Sequence, residues 1–256
     1  MASDAVLLPQ GGQRTTSRPV NRSVERVFYF GMSIVMCVCV FIGFSPTYFQ
    51  AGLIHAPLPS PILHFHGAAF TLWMLLFVVQ STLISARRVH WHRTLGTIAF
   101  CLPPIMVVLG AIAGIDALHR GVQIGPLDPS VSLAIPLIGI VAFAFIIYAS
   151  WRARRRPDAH KRLVLIATIG LVGAAFGRFP WARIGLPPAA GAVTGTSILL
   201  LIVIAFELFT IRRVHRSTAW AAPLTFAAVA FAVPIGMTPA WHFFAALLNR
   251  TIGPHL

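Results

Sequence analysis

Seven apolar runs, each near the ~20 residues an α-helix needs to cross ~30 Å of hydrocarbon, constrain this chain more than any other feature. They cover Val27 to Phe49, Pro61 to Ser85, Thr94 to Ala117, Val131 to Ser150, Lys161 to Gly177, Ala189 to Ile211 and Trp220 to Ala240. The reading is an all-α polytopic bundle of seven transmembrane helices, residues 27–256, behind a polar amino-terminal stretch, residues 1–26, expected to be a disordered tail. That stretch lacks the small-residue cleavage site of a signal peptide.

Basic residues fall between the runs and alternate in density. One set of connections carries Arg14, Arg18, Arg22 and Arg26, then Arg87, Arg88 and Arg93, then six from Arg152 to Arg162, then Arg212, Arg213 and Arg216. The other set receives Arg120, Arg178, Arg183 and Arg250. Sixteen of the 20 Lys and Arg therefore lie on one side, which the positive-inside bias makes cytoplasmic, with the amino terminus in and the carboxyl terminus out.

Composition agrees, since 57% hydrophobic and 10% charged residues with a mean hydropathy of +0.81 do not describe a soluble domain. The net charge of +14 would suggest nucleic acid in a soluble protein. Here it sits in short loops facing anionic headgroups, so the expected partner is the bilayer and not nucleic acid. Arginine supplies every basic position except Lys161, a bias that fits a GC-rich bacterial genome and an inner-membrane location. Cys37, Cys39 and Cys101 lie inside runs without a C-x-x-C or C-x-x-C-H spacing, so they read as small apolar fillers.

Ionisable side chains at membrane depth are functional suspects, and here they form two layers. The outer layer holds His64, His66, Asp116, His119, Arg178 and His242; the inner holds Gln80, His90, His92, His160, Glu207 and His215. His66, Trp73 and Gln80 recur every seven residues and predict one inward stripe on the second span. An inner polar cluster of Gln80, His92, His160 and Glu207, flanked by Arg93 and Arg162, is expected to face the bundle. His160 and Arg178 stand five turns apart, which predicts a shared face with Gly170, Gly173, Ala174 and Gly177 as a thin strip between them. Asp158, after Pro157, reads as an N-cap. Pro103-Pro104 reads as a kink in the third span. Similar basic and histidine-containing junctions recur at Arg87-Arg88-Val89-His90-Trp91-His92-Arg93, at Arg154 to Arg162 with His160, and at Arg212-Arg213-Val214-His215-Arg216, a weak sign of a repeated helix pair, since the apolar parts align no better than any two apolar runs.

Phe65-His66-Gly67, Leu72-Trp73, Gln80, His92-Arg93-Thr94-Leu95-Gly96, Asp158-Ala159-His160-Lys161-Arg162-Leu163, Ala167-Thr168, Arg178 and Thr238-Pro239-Ala240-Trp241 together resemble a family of bacterial polytopic membrane proteins of unknown function. The resemblance implies a shared seven-span fold and supplies no activity. More distantly, histidines at both faces are similar in style to cytochrome b561 and ferric-reductase-like proteins, which hold b-type haems between helices.

Three functions follow as alternatives. In the first, a b-type haem or a metal ion bound between helices serves electron transfer, with His92 and His160 as inner ligands beside Arg93 and Arg162, and His66 and His242 as outer ligands beside Arg178. In the second, a zinc-dependent membrane hydrolase resembling the seven-span alkaline ceramidases and progestin and adipoQ receptors would use Ser60, His64, Asp116, His119 and His242. Against it, the H-x-x-x-H of that kind is missing, because His242 is followed at position 246 by Ala246. In the third, a non-catalytic module acts as carrier, sensor or accessory subunit, with Glu207 paired to Arg162 or His92 as a structural ion pair.

The charge asymmetry yields a direct test of orientation. A periplasm-active reporter fused after Leu256 is expected to be active, and the same reporter at Arg155 silent; the reverse pattern contradicts the assignment.

Overall fold

The computed structural model describes residues 22–50 and 60–251, which are helical with no strand among them. Helix α1 spans Arg22–Phe44 and runs into a π-helical turn, Ser45–Phe49. Then come α2, Pro61–Ser85; α3, Val89–Ala99; α4, Leu102–His119; α5, Pro129–Arg152; and α6, Pro157–Phe176. A 3-10 turn at Trp181–Ile184 leads to α7, Pro188–Ile211. The chain ends with α8, Arg216–Ala230; α9, Ala232–Gly236; and α10, Pro239–Thr251.

Six helical stretches among the described residues are long and apolar enough to cross a membrane, with α3 and α4 together forming the third. The chain is therefore a multi-pass membrane protein. Two boundaries differ from expectation. Residues 22–26 belong to α1, and the rest of the expected tail lies outside the described residues. The third span turns at Phe100 and Cys101, so Pro103 and Pro104 open α4 rather than kinking a continuous helix; proline at a helix start loses an N–H that had no partner there.

The seventh run is not one helix. Phe231 ends α8 and Met237 ends α9, in a stretch where Pro223, Pro234 and Pro239 each withdraw a backbone donor. Its pieces still follow α5 from end to end, because Trp220 meets Phe145 at 5.7 Å while Gly236 lies against Val131 and Ala134.

Helix α6 is the hub. It packs against α1, α5, α7 and α8, and from Leu163 to Phe176 most of its side chains are buried. Small residues permit these approaches. At Gly43 an added Cβ would strike the backbone of Ala175, so α1 and α6 touch main chain to main chain. The Gly170 and Gly173 strip is filled by Thr225 of α8, Thr196 of α7 and Val229, so this thin face is a helix interface and not an open slot.

One ion pair ties the amino-terminal end of the hub. Arg162 Nε donates to Glu207 Oε1 at 2.5 Å, with the two residues 3% and 1% exposed. Thr218 Oγ1 donates to the same oxygen at 2.7 Å, and the His215 N–H donates to Oε2 at 2.8 Å. Glu207 thus joins α6, α7 and the start of α8. The left-handed Arg212, φ 59°, turns the chain back so that His215 can reach a carboxylate eight residues earlier. Arg87 has the same φ of 59° after α2, so the two Arg-Arg-Val-His junctions share a turn geometry as well as a sequence.

Removing one partner of such a pair strands the other charge in a low dielectric, at a cost of about 3–5 kcal/mol. Glu207→Ala is expected to lower the thermal midpoint of the detergent-purified protein sharply. The double change Arg162→Met with Glu207→Leu should recover most of the loss, because it leaves no charge behind.

Candidate functional site

The carboxyl-terminal end of α2 and the start of α3 are locked by an amide. Gln80 Oε1 accepts from the Gly96 N–H at 3.0 Å, while its Nε2 donates to the His92 carbonyl at 3.1 Å and to His92 Nδ1 at 2.5 Å. The amide therefore bridges a carbonyl and an N–H four residues apart on α3, groups that ordinarily bond to each other in a helix. A Cβ at Gly96 would lie 3.6 Å from the Gln80 amide, an ordinary contact, so the bridge uses the Gly96 N–H and not its lack of a side chain. The bridge brings Gln80, His92 and Gly96 together.

His160 is positioned from α5. Its Nδ1 lies 3.1 Å from the Ser150 carbonyl and 3.0 Å from Ser150 Oγ. A carbonyl only accepts, so the proton sits on Nδ1 and the lone pair on Nε2. His92 has the opposite tautomer, because its Nδ1 accepts from Gln80 and its Nε2 keeps the proton. The two imidazoles are within electrostatic reach of each other. Together they present one donor and one acceptor.

The structure brings Gln80 to His92 and Arg162 to Glu207 as two neighbouring units rather than one cluster. Arg93 does not join either: it is exposed, because one residue along α3 turns it ~100° away from His92. Asp158 does not cap α6, whose N-cap is Arg156 without a side-chain bond; it pairs with Lys161 at 2.7 Å. Lys161 also holds Glu25 of α1 at 2.9 Å, a contact that the sequence reading missed because the partners lie 136 residues apart. His215, partly buried and beside the Arg162 guanidinium, is held below the usual imidazole range, and its Nδ1 accepts from the Ser217 N–H at 3.1 Å.

The expected stripe on α2 does face inward. Trp73 is buried and its Nε1 donates to Thr168 Oγ1 at 3.3 Å, which accounts for the Trp73 and Ala167-Thr168 motifs. Trp241 Nε1 likewise donates to the Ser130 carbonyl at 2.7 Å, docking α10 on α5.

At the opposite end of the bundle, where α2 begins and α4 stops, the polar residues divide among separate partners. Tyr48, on the π-helical turn, bonds His64 Nδ1 at 3.1 Å. Ser60 donates to Asp116 at 2.9 Å, and Arg120 Nη2 reaches the same carboxylate oxygen at 2.8 Å. His119 bonds Asn249 at 3.1 Å, and His242 is exposed on α10. Of the zinc set only Ser60 and Asp116 meet, and among the described residues no three His, Cys, Asp or Glu side chains stand close enough to hold a metal ion. His66 stacks on Phe70 at 4.2 Å, lies within reach of the Arg178 charge, and has a buried Nδ1 without a partner. Arg178 follows the end of α6, where helical register lapses. It donates to the Ala174 carbonyl at 2.6 Å and covers the Phe44 ring at 4.3 Å, so it turns toward α1 while His160 turns toward α5.

No family model, curated protein or solved structure matches the chain.

The Gln80 bridge is testable in isolation. Gln80→Leu leaves the His92 ring nitrogen without its amide partner, while the His92 carbonyl and Gly96 N–H can still bond each other within α3, and is expected to cost roughly 1–3 kcal/mol, read as a lower thermal midpoint. Nitrogen NMR should show the His92 imidazole losing its fixed tautomer, with His160 unchanged.

Proposed function

We propose that the chain is a non-catalytic module, a carrier, sensor or accessory subunit, in a bacterial inner membrane, with seven crossings, its amino terminus in and its carboxyl terminus out. One observation carries this reading. Nearly every buried polar group that the sequence offers as a ligand is already engaged by the protein: Glu207 by Arg162, Thr218 and the His215 N–H, His160 by Ser150, His92 by Gln80, and Asp116 by Arg120 and Ser60. Groups satisfied in this way stabilise and orient helices. The passage of α8 and α9 along α5 supports the seventh crossing, and the charge asymmetry supports the orientation.

A second reading, a b-type haem or metal ion for electron transfer, rests on His160 and His66. With Nδ1–H held by the Ser150 carbonyl, His160 presents the Nε2 lone pair that an axial ligand needs, and His66 has an unpartnered buried nitrogen. His92 fits poorly, since its proton sits on Nε2, and a bis-imidazole site shared with His160 would need the Gln80 amide to let go. A bound haem would supply one-electron transfer; the chain's own contribution would be to orient those imidazoles.

An ultraviolet-visible spectrum of the detergent-purified protein, before and after dithionite, with metal analysis, separates the two. The module reading expects no Soret band and no stoichiometric metal. A Soret band lost in His160→Ala would replace it with the haem reading.

A further inference from the structure

The Arg93 of the His92-Arg93-Thr94-Leu95-Gly96 motif is left without a role by the fold, since His92 and Gly96 serve the Gln80 bridge and Arg93 points the other way. It lines a shallow, open groove along one exposed face of α3 with Val89, His90, Thr94 and Thr97, all of that one helix. The polar side chains of that groove are donors or can donate: a guanidinium, an imidazole and two hydroxyls. Thr97 is partly spoken for, as its hydroxyl donates to the Arg93 carbonyl at 2.9 Å.

Arg87, Arg88 and Arg93 have no side-chain hydrogen bond or ion pair among the described residues. The described residues do not supply one. Every acid among them is engaged elsewhere: Glu25 and Asp158 by Lys161, Asp116 by Arg120, Asp128 by the Ser130 N–H and Glu207 by Arg162. No acid among the described residues is therefore the counter-anion of this groove. Its source is indicated by the adjoining face of α3, where Trp91 is 61% and Ile98 66% exposed. An indole at an interface with an aliphatic side chain beyond it is the surface on which an acyl chain lies.

We infer that this groove seats the phosphate of an anionic phospholipid headgroup, held by Arg93 with His90 and Thr94, with the acyl chains along Trp91 and Ile98. A guanidinium takes phosphate by paired charged hydrogen bonds, and each basic residue near an anionic surface contributes about 1 kcal/mol. The site is independent of whether the protein is a module or a haem carrier.

The test uses the full-length protein in maltoside micelles, titrated with short-chain phosphatidylglycerol, with phosphatidylcholine and with glycerol 3-phosphate. Phosphatidylglycerol is expected to bind saturably and phosphatidylcholine not to. Arg93→Gln should weaken phosphatidylglycerol roughly fivefold or more, and Thr94→Val and Arg213→Gln, the latter on another basic loop, each by a smaller factor. Arg93 and Thr94 are exposed, and their side chains bond nothing among the described residues, so both variants should keep the wild-type melting curve. Equal weakening by Arg93→Gln and Arg213→Gln would show unspecific attraction and overturn the site. So would an unchanged affinity in both Arg93→Gln and Thr94→Val. Glycerol 3-phosphate binding as tightly as the lipid would overturn the lipid as its occupant.

Discussion

A carboxylate and a guanidinium shut inside a helical bundle attract each other strongly and lose water at comparable cost, so such a pair survives only with its remaining valences filled. Arg162 and Glu207 meet that condition. Thr218 and the His215 N–H complete Glu207, and the Asp158 carbonyl accepts from Arg162 Nη1 at 2.7 Å. Three helices from separate parts of the chain can satisfy this carboxylate only in one relative position. The adjoining Lys161, shared between Glu25 and Asp158, brings α1 into the same arrangement. The end of the bundle where α6 begins is in this sense set by electrostatics, and the end where α6 stops by glycine contacts such as Gly43 against Ala175.

The two sides of the membrane-spanning region differ in how they treat histidine. At the end where α3 and α6 begin, His160 and His92 each have one ring nitrogen fixed, by a carbonyl and by an amide, and so hold opposite tautomers. At the opposite end, where α2 begins, His64 leans on Tyr48, whose ring in turn packs within 3.1 Å of where a Cβ of Gly67 would stand. His66 beside it keeps a free buried nitrogen. An unpartnered buried nitrogen is costly to the fold. The open nitrogens of His66 and His160 keep the ligand reading in play alongside the module reading.

Much of the candidate site was legible before any coordinates. Trp73 and Gln80 follow from a seven-residue recurrence, and Glu207 facing inward follows from the cost of facing lipid. Arg162 as its partner was one of two options; a 3.6-residue period places a side chain on a face but does not say which neighbouring helix that face meets. Arg93 and His92, adjacent in sequence, were grouped together although the same period separates them. Asp158 looked like a cap because caps depend on local pattern, yet its oxygen found Lys161 one turn on. Arg178 was placed on the His160 face by counting turns past the point where α6 ends.

The sequence by itself determined that this is a helical multi-pass membrane protein, because hydrocarbon admits only apolar segments with internally bonded backbones and this chain has the lengths for them. It also determined the charge asymmetry from which orientation is argued, since that depends on composition between segments and on no contact. Tertiary structure decided the rest: that Glu207 closes on Arg162, that Gln80 bridges His92 and Gly96, that the seventh run breaks while still lining α5, and that Arg93 is left facing outward. Those outcomes depend on which helix stands beside which, and neighbours in space here lie 45, 95 or 136 residues apart in the chain, beyond the reach of any local periodicity.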